Sequence, residues 1–352
     1  MSVKVIIDGY YLKNSRGMAE YANNIISSSN KSVEVLELTF LRFFQNFIPF
    51  PIWEQIIIPI YLYFSKGSVI LISPYNTFPV VLPRKVTNLI ICHDLIFLKS
   101  NNVNQNIKSY LGKWYRSIVY KKIKTIKHKR FFACVSKTTL MKLKEFESAA
   151  DAVCIPNCLN FDLIDFCDNE AGKYGLVITG SGSNKNNNLF IEALNNLIKK
   201  SHNFDIVVCG IFNKKDRQRF LKKVYPRNPG QKLKLEKRLT SAQIDKLFQN
   251  ARYFLSYSND EGFGIPLLHA VKCGKPIVAS DIPVYREILG SEAYAYFSAF
   301  DPEDLASKIE QISANVIHVD TSYAEIKKRY STKQFKILLN QYLGFIENEV
   351  EK

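Results

Sequence analysis

The stretch SNDEGFGIPLLHAVKCGKPIVAS, residues 258–280, sets out a loop, a helix and a strand in succession. A short apolar run at 253–256 leads into it and reads as a strand. Glu261, Gly262 and Gly264 then form a loop, a helix starts near Pro266 and runs to 273, and 276–279 reads as the next strand. Glycine lets a backbone approach a ligand closely, proline suits the first helical turn, and the free N–H groups of that turn make an anion site. A phosphate would fit there, with Glu261 beside it as a fixed acceptor. Taken alone, the G-x-G spacing better suits a plain strand-to-helix turn.

The same rhythm extends outward in both directions. Residues 3–8, 33–38, 69–73, 89–92 and 131–135 read as strands of a first series, with helices near 19–28, 52–64, 109–127 and 137–146 between them. A second series follows, with strands at 175–179, 205–209, 253–256, 276–279 and 293–297 and helices near 188–200, 216–224, 241–249, 266–273 and 302–313. Two consecutive doubly wound α/β domains follow from this alternation, and ligands are expected beyond the carboxyl ends of the strands. A length of 352 residues also favours two domains. The join falls at 162–173, where Asp168, Asn169, Glu170 and Gly172 make a loop.

Composition excludes collagen-like, disulfide-scaffold and disordered classes, since 47% of residues are hydrophobic and 23% charged. Seven cysteines lack any C-x-x-C pair and read as reduced core thiols of a cytosolic protein. The apolar stretch 43–64 is broken by Pro49, Pro51 and Pro59 and holds Glu54, which makes it a poor membrane span. The charge is unusual: 48 Lys and Arg stand against 32 Asp and Glu, a net +16. Residues 108–144 hold twelve of the basic residues and no acidic one, interleaved with Tyr110, Trp114, Tyr115 and Tyr120. Lys108, Trp114, Arg116, Lys121 and Lys122 are therefore candidates for an amphipathic helix that meets an anionic membrane surface or a phosphate-bearing acceptor. A solvated helix face explains the same pattern. No nucleic-acid-binding signature accompanies the charge, so nucleic acid is not an expected partner.

The full spacing E-G-F-G-I-P-L-L followed by A-V-K-C-G-K-P-I-V-A-S-D resembles the donor-site motif of retaining, family 4 type glycosyltransferases of the GT-B fold. That resemblance implies two Rossmann-like doubly wound domains facing a central cleft: an acceptor-side domain over 1–168, a nucleotide-sugar-binding domain over 173–326, and a terminal helix within 327–352 that packs back on the first. It implies that Glu261 contacts hydroxyls of the transferred sugar and that Gly262, Phe263, Gly264 and Ile265 line the donor. The family's second Glu, which grips the nucleotide ribose, falls at His269, and neutral imidazole offers one acceptor where a carboxylate has several. SGSNKNNNL, residues 181–189, looks like the family's Gly-rich turn, so Gly180, Lys185 and Asn186 are donor-binding by resemblance, with Lys185 the cation for the diphosphate; the usual arginine beside it is missing. LTSAQIDKLFQNARYFL at 239–255 and DIPVYREILG at 281–290 look like the helix before the motif and the loop after it.

His93 and Asp94 follow a strand, and with Trp53, Glu54 and Gln55 they resemble a subgroup of bacterial polysaccharide mannosyl- and rhamnosyltransferase-like proteins in which His93 would lie against the sugar. Gly17, in SRGMAEY, falls where the family's G-I-G-R-Y loop approaches the donor, with Glu20 replacing the usual basic residue. The resemblance thus implies a retaining, metal-independent hexosyltransferase that needs no cofactor. Its substrates would be a nucleoside-diphosphate sugar and a lipid-diphosphate-linked or free glycan acceptor in O-antigen or capsule biosynthesis. Its expected place is the cytoplasm, peripheral at the inner face of the plasma membrane. The alternatives are a non-catalytic GT-B homologue that docks partners or membrane, and a nucleotide-sugar epimerase.

Overall fold

The computed structural model describes residues 3–13, 17–37, 48–99, 107–126, 128–162, 172–211, 214–236, 239–314 and 323–351. The chain divides into two units: Met1–Cys158 with Ser331–Lys352, and Leu159–Tyr330.

The first unit is built on a six-stranded sheet: β1 Lys4–Asp8, β2 Val33–Leu36, β3 Val69–Ser73, β4 Val86–Cys92, β5 Arg130–Cys134 and β6 Ala152–Cys154. Their order is β2-β1-β3-β4-β5-β6, and every pairing is parallel. β3 and β4 are buried along their whole length, as expected of central parallel strands covered on both faces. The helices Gly17–Ser28, Ile107–Lys121, Lys137–Phe146 and Thr332–Glu351 belong to this unit. Ser136 caps Lys137–Phe146 by accepting from the Thr139 N–H. Thr332–Glu351 is held by Asn340 Nδ2 donating to the Ser28 carbonyl at 2.9 Å and by Phe335 edge-on to Tyr21.

The second unit repeats the design with β7 Tyr174–Ile178, β8 Phe204–Cys209, β9 Gln231–Glu236, β10 Ala251–Ser256, β11 Ile277–Ser280 and β12 Ala295–Phe297, in the parallel order β12-β11-β10-β7-β8-β9. Its core gathers Phe190, Leu194 and Leu197 from the helix Asn187–Lys199 under Ile206, Val208 and Leu255 of the sheet. Thr240 and Gln243 form a reciprocal capping box at the start of the helix Ser241–Asn250. At Gly210, φ is +111° and an added Cβ would lie 2.0 Å from the Thr179 carbonyl oxygen, so only glycine lets the ends of β7 and β8 come together.

Strand order reverses between β1 and β3 in the first unit and between β7 and β10 in the second. Crevices for ligands open at the carboxyl ends of such strand pairs.

Four local elements differ from the sequence reading. Residues 283–289, read as part of a loop, form a helix whose Val284, Tyr285, Ile288 and Leu289 are buried. β6 and β9 were not anticipated. The terminal helix is two helices, Ala324–Arg329 in the second unit and Thr332–Glu351 in the first, broken at Tyr330. Among the described residues no helix is long and apolar enough to cross a membrane; residues 43–47 of the apolar stretch lie outside those described.

Candidate active site

The reversal point of the second unit joins the two motifs singled out in the sequence. β7 runs out through Thr179 and Gly180 into the turn Ser183–Lys185, and β10 runs out through Tyr257 and Ser258 to Glu261. Lys185 Nζ meets Glu261 Oε1 at 2.5 Å, and the Ser258 hydroxyl donates to the same oxygen at 2.7 Å. Both side chains of the pair are largely covered yet reach solvent. The two loops are stitched by backbone as well: Asn259 N–H donates to the Asn184 carbonyl at 2.9 Å, and Asn184 Nδ2 to the Asp260 carbonyl at 3.0 Å. Asn186 takes a left-handed conformation and anchors its Nδ2 on the Ala299 carbonyl, while Asn187 Nδ2 donates to the Gly180 carbonyl. Asn186 and Gly180 therefore shape the turn that presents Lys185.

The helix Ile265–Lys272 begins behind this pair. Gly264 caps it at φ +119°, and an added Cβ would press on the Tyr285 ring at 3.0 Å. Tyr285 is itself fixed by the Ser256 hydroxyl, which donates to its oxygen at 2.7 Å. Pro266 removes one N–H from the first turn, and the Ile265 end is the positive end of the helix dipole. Gly262 is buried in the loop, and the Phe263 side chain is buried edge-on to Tyr330, so these two offer a ligand backbone rather than side chain. His269 stacks on Phe248 and stands 3.5 Å from Asp245, whose carboxyl is held below its usual range by that contact. Asp245 is a neighbour that the sequence reading did not bring to His269.

The reversal point of the first unit has a different chemistry. β1 ends at Asp8, which accepts from the Trp53 indole N–H at 2.8 Å and the Tyr10 N–H at 3.0 Å; burial still pushes its carboxyl up to about 6. Trp53–Ile57 is a single π-helical turn, closed by Ile58 N–H donating to the Trp53 carbonyl. It turns Glu54 inward, where Oε2 accepts from Thr77 Oγ1 and Gln55 Nε2, each at 2.9 Å, and from the Tyr115 hydroxyl. Burial outweighs these donors and raises Glu54 to about 8, so it is a neutral acid at neutral pH. The Gln55 Oε1 accepts from the Val80 N–H at 2.9 Å. The Trp-Glu-Gln element is thus a buried lock between helix, loop and sheet.

His93 follows β4 directly. Its Nε2–H donates to the Pro74 carbonyl at 2.9 Å, and its backbone N–H to Asn76 Oδ1 at 3.0 Å. Burial above all, with the charge of Arg116, lowers its pKa to about 4, leaving a neutral ring with Nδ1 as the accepting nitrogen. A cavity of about 260 Å³ at this edge is lined by Tyr11, Met18, Phe50, Tyr75, Tyr115 and Arg116 among others. Gly17 opens the helix Gly17–Ser28 next to Met18. Among the described residues, no group of three or more His, Cys, Asp and Glu is placed to hold a metal ion.

The basic segment does not form one cationic face. Eight of its twelve basic residues fall on the helices Ile107–Lys121 and Lys137–Phe146 and the strand Arg130–Cys134, and Lys127 lies outside the described residues. Arg116 lines the cavity, and Lys129 pairs with Glu349. Lys121 and Lys122 are exposed; the Lys108 side chain lies outside the described residues. What the helix does present is Tyr110, Leu111 and Trp114, each more than half exposed.

Asp8, Thr77 and Ser258 were not picked out from sequence. Asp8 had a usable signal, an acid at the carboxyl end of the first strand followed by glycine.

The sequence model of the family described as glycosyl transferases group 1 matches residues 169–329. The chain is 37% identical over 68 residues to the serotype-specific mannosyltransferase WbdA of Escherichia coli, which is 19% of this chain and 8% of that protein. It is 28% identical over 205 residues to the O-antigen chain mannosyltransferase RfbU of Salmonella typhimurium, 56% of this chain and 54% of that one. The chain therefore spans less than a tenth of the first relative and about half of the second. Among solved structures, Anabaena Alr3699/HepE in complex with UDP and glucose superposes with a TM-score of 0.66 at 12% identity, over 99% of this chain and 100% of that one. At that identity the likeness is one of fold, and the fold is GT-B.

Proposed function

We propose, from the premise that residues 169–329 form a glycosyl transferases group 1 domain, that this protein is a retaining glycosyltransferase. It moves a hexose from a nucleoside-diphosphate sugar to a lipid-diphosphate-linked glycan acceptor in bacterial surface polysaccharide assembly. The names of the two mannosyltransferase relatives make mannose the first sugar to try. The observation that carries the reading is the Lys185–Glu261 pair at the strand-reversal point of the second unit.

A bound diphosphate offers Lys185 an alternative anion, and the helix beginning at Ile265 adds N–H groups and a positive end. Released from Lys185, Glu261 becomes a two-oxygen acceptor for sugar hydroxyls, still oriented by Ser258. Transfer then needs no protein nucleophile. The bond from the anomeric carbon to the diphosphate oxygen breaks as the acceptor hydroxyl oxygen bonds to the same face. The hydroxyl proton passes to the departing phosphate, and the charge that develops there is met by Lys185 and the amides. Neutral His93, with Nδ1 accepting, suits a sugar hydroxyl rather than a phosphate.

Peripheral membrane association forms part of this reading. Ile52, Ile56, Ile60 and Phe64 are exposed along one helical run, and Gln55 Nε2 donating to the Tyr115 hydroxyl at 2.8 Å ties that run to the helix carrying Tyr110, Leu111 and Trp114. Exposed Lys121, Lys122 and Lys124 lie at the end of the second helix. Apolar side chains beside lysines suit an anionic bilayer surface. Sedimentation with anionic liposomes should weaken on adding salt and on Trp114→Ala; binding that ignores both removes this part.

The function itself is tested with a thermal-shift panel of GDP, UDP, dTDP, CDP and their sugars, followed by product detection with the best binder. Saturable stabilisation by one nucleotide and transfer from its sugar support the proposal. Nucleotide binding without turnover would favour a non-catalytic protein, and no binding at millimolar nucleotide would overturn the reading.

A further inference from the structure

The cavity of the first unit holds one feature that its aromatic walls do not explain. Arg116 lines it, half-buried on the helix Ile107–Lys121, and its Nε is buried with no hydrogen-bond partner. Its guanidinium lies 5.6 Å from the centre of the Phe97 ring. Among the described residues it makes no ion pair, and the buried carboxyls Glu54 and Asp8 of the same unit are engaged with Tyr115, Thr77 and Trp53. Burial keeps Glu54 a neutral acid at neutral pH, and the Asp8 carboxyl oxygen is occupied by the Trp53 and Tyr10 N–H groups. A buried guanidinium N–H without an acceptor is costly, and a guanidinium offers a planar fork that fits an oxyanion.

The walls set the rest of the ligand. Tyr11, Phe50, Tyr75 and Tyr115 supply ring faces and edges, and their hydroxyls are largely committed: Tyr75 donates to the Asp8 carbonyl at 2.9 Å and Tyr115 to Glu54. About 260 Å³ holds roughly one sugar ring with a charged substituent. Aromatic faces pack against the C–H faces of a sugar ring.

The geometry points to this cavity as an acceptor subsite for a sugar ring that carries an oxyanion, a carboxylate or a phosphate, held by Arg116 and flanked by the aromatic walls. The inference rests on the glycosyltransferase reading only for the word acceptor; the binding itself does not depend on it. Two sources share this chemistry: a uronic-acid residue of the glycan, and the phosphate next to the first sugar of a lipid-linked acceptor.

Calorimetric titration of the full chain separates the outcomes. The probes are methyl α-glucoside, methyl α-glucuronide and methyl α-glucoside 6-phosphate, with geranyl diphosphate to represent a lipid diphosphate lacking a sugar. One charged hydrogen bond predicts that a charged glycoside binds about tenfold or more tighter than the neutral one, and that Arg116→Gln erases the difference while Arg116→Lys keeps part of it. Preference for the glucuronide assigns a uronic-acid acceptor, and preference for the phosphate glycoside assigns a phosphate. Equal affinity for charged and neutral glycosides in the unaltered chain overturns the proposal without any variant, and so does a preference that survives in a folded Arg116→Gln. Tightest binding by geranyl diphosphate overturns the sugar-ring part. Nucleotide binding is measured on the same samples: if it persists while the anion preference is absent, this inference fails and the glycosyltransferase reading stands; if nucleotide binding is absent, that reading fails whatever the glycosides do.

Discussion

The two sheets reverse strand order in the same way but treat the acids at their carboxyl edges in opposite ways. In the first unit Asp8 and Glu54 are sealed, satisfied from within and pushed toward neutrality, to about 6 and about 8. In the second, Glu261 stays within reach of solvent with a lysine as its partner. A carboxylate paired with a cation at a surface can exchange that cation for a ligand at small cost, whereas one buried under three donors cannot. The same topology thus supports a scaffold at one edge and a replaceable ion pair at the other. In the first unit the Arg116 Nε is instead left buried without a hydrogen-bond partner.

The comparison breaks first at Glu261. Glu261→Gln removes the charge and keeps the shape, so transfer should fall by about 100-fold or more with the melting temperature nearly unchanged, in line with the loss of a transition-state contact; a turnover assay beside a thermal melt checks both halves. Glu54→Gln probes the opposite edge. Because folding raises the Glu54 pKa from 4.5 to about 8, its contribution to stability is complete below about pH 4.5 and is lost as pH rises to about 8. The stability of the unaltered chain should therefore fall over that range with a slope of up to about 1.4 kcal/mol per pH unit, and the glutamine variant should flatten it. Asp8 adds the same sign of slope between its ordinary value of 3.8 and about 6, so the residual slope in the variant belongs there.

Gly264→Ala tests the helix start rather than the ion pair. A left-handed residue with a Cβ pressed on Tyr285 should cost about 1–3 kcal/mol, read from denaturant midpoints. The smallest effect is expected at His269. His269→Glu would place a second carboxylate near Asp245, at a position where the histidine now stands 3.5 Å away. A loss of about 0.5 kcal/mol or less is expected, recovered in the double variant with Asp245→Asn. Any gain in nucleotide affinity should appear more clearly in that double variant than in the single one.

What the sequence revealed follows the same division. Motifs with continuous apolar runs and glycines, such as VILIS before the first reversal and SYSNDEGFGIP after β10, announce buried parallel strands and their outgoing loops. β9, QKLKLE, alternates lysine with leucine at a sheet edge and lacks such a run; β6 has three residues and no pattern to detect. The helix Pro283–Leu289 is shorter than two full periods of the apolar repeat, and propensity is weak over seven residues. Lys185 and Glu261 were legible as types in a spacing, but their meeting is a product of strand order. Glu54 resisted most. A glutamate in an apolar run looks like an interruption, and only the donors of Thr77, Gln55 and Tyr115, from three separate segments, make it a tolerated interior acid. Arg116 was read with the surface lysines because a charge count does not report which way a side chain turns.

The helix Thr332–Glu351 belongs to the unit whose strands are laid down first. During synthesis the ribosome delivers residues 159–330 as one uninterrupted module, ready to collapse as soon as it emerges. The earlier strands must wait, with Tyr21 and Phe132 lacking their partners Phe335 and Tyr342, until the last segment of that unit has been made. Vectorial folding is therefore inverted: the later module can mature before the earlier one, and a stalled or truncated nascent chain would expose the apolar surface of its own beginning.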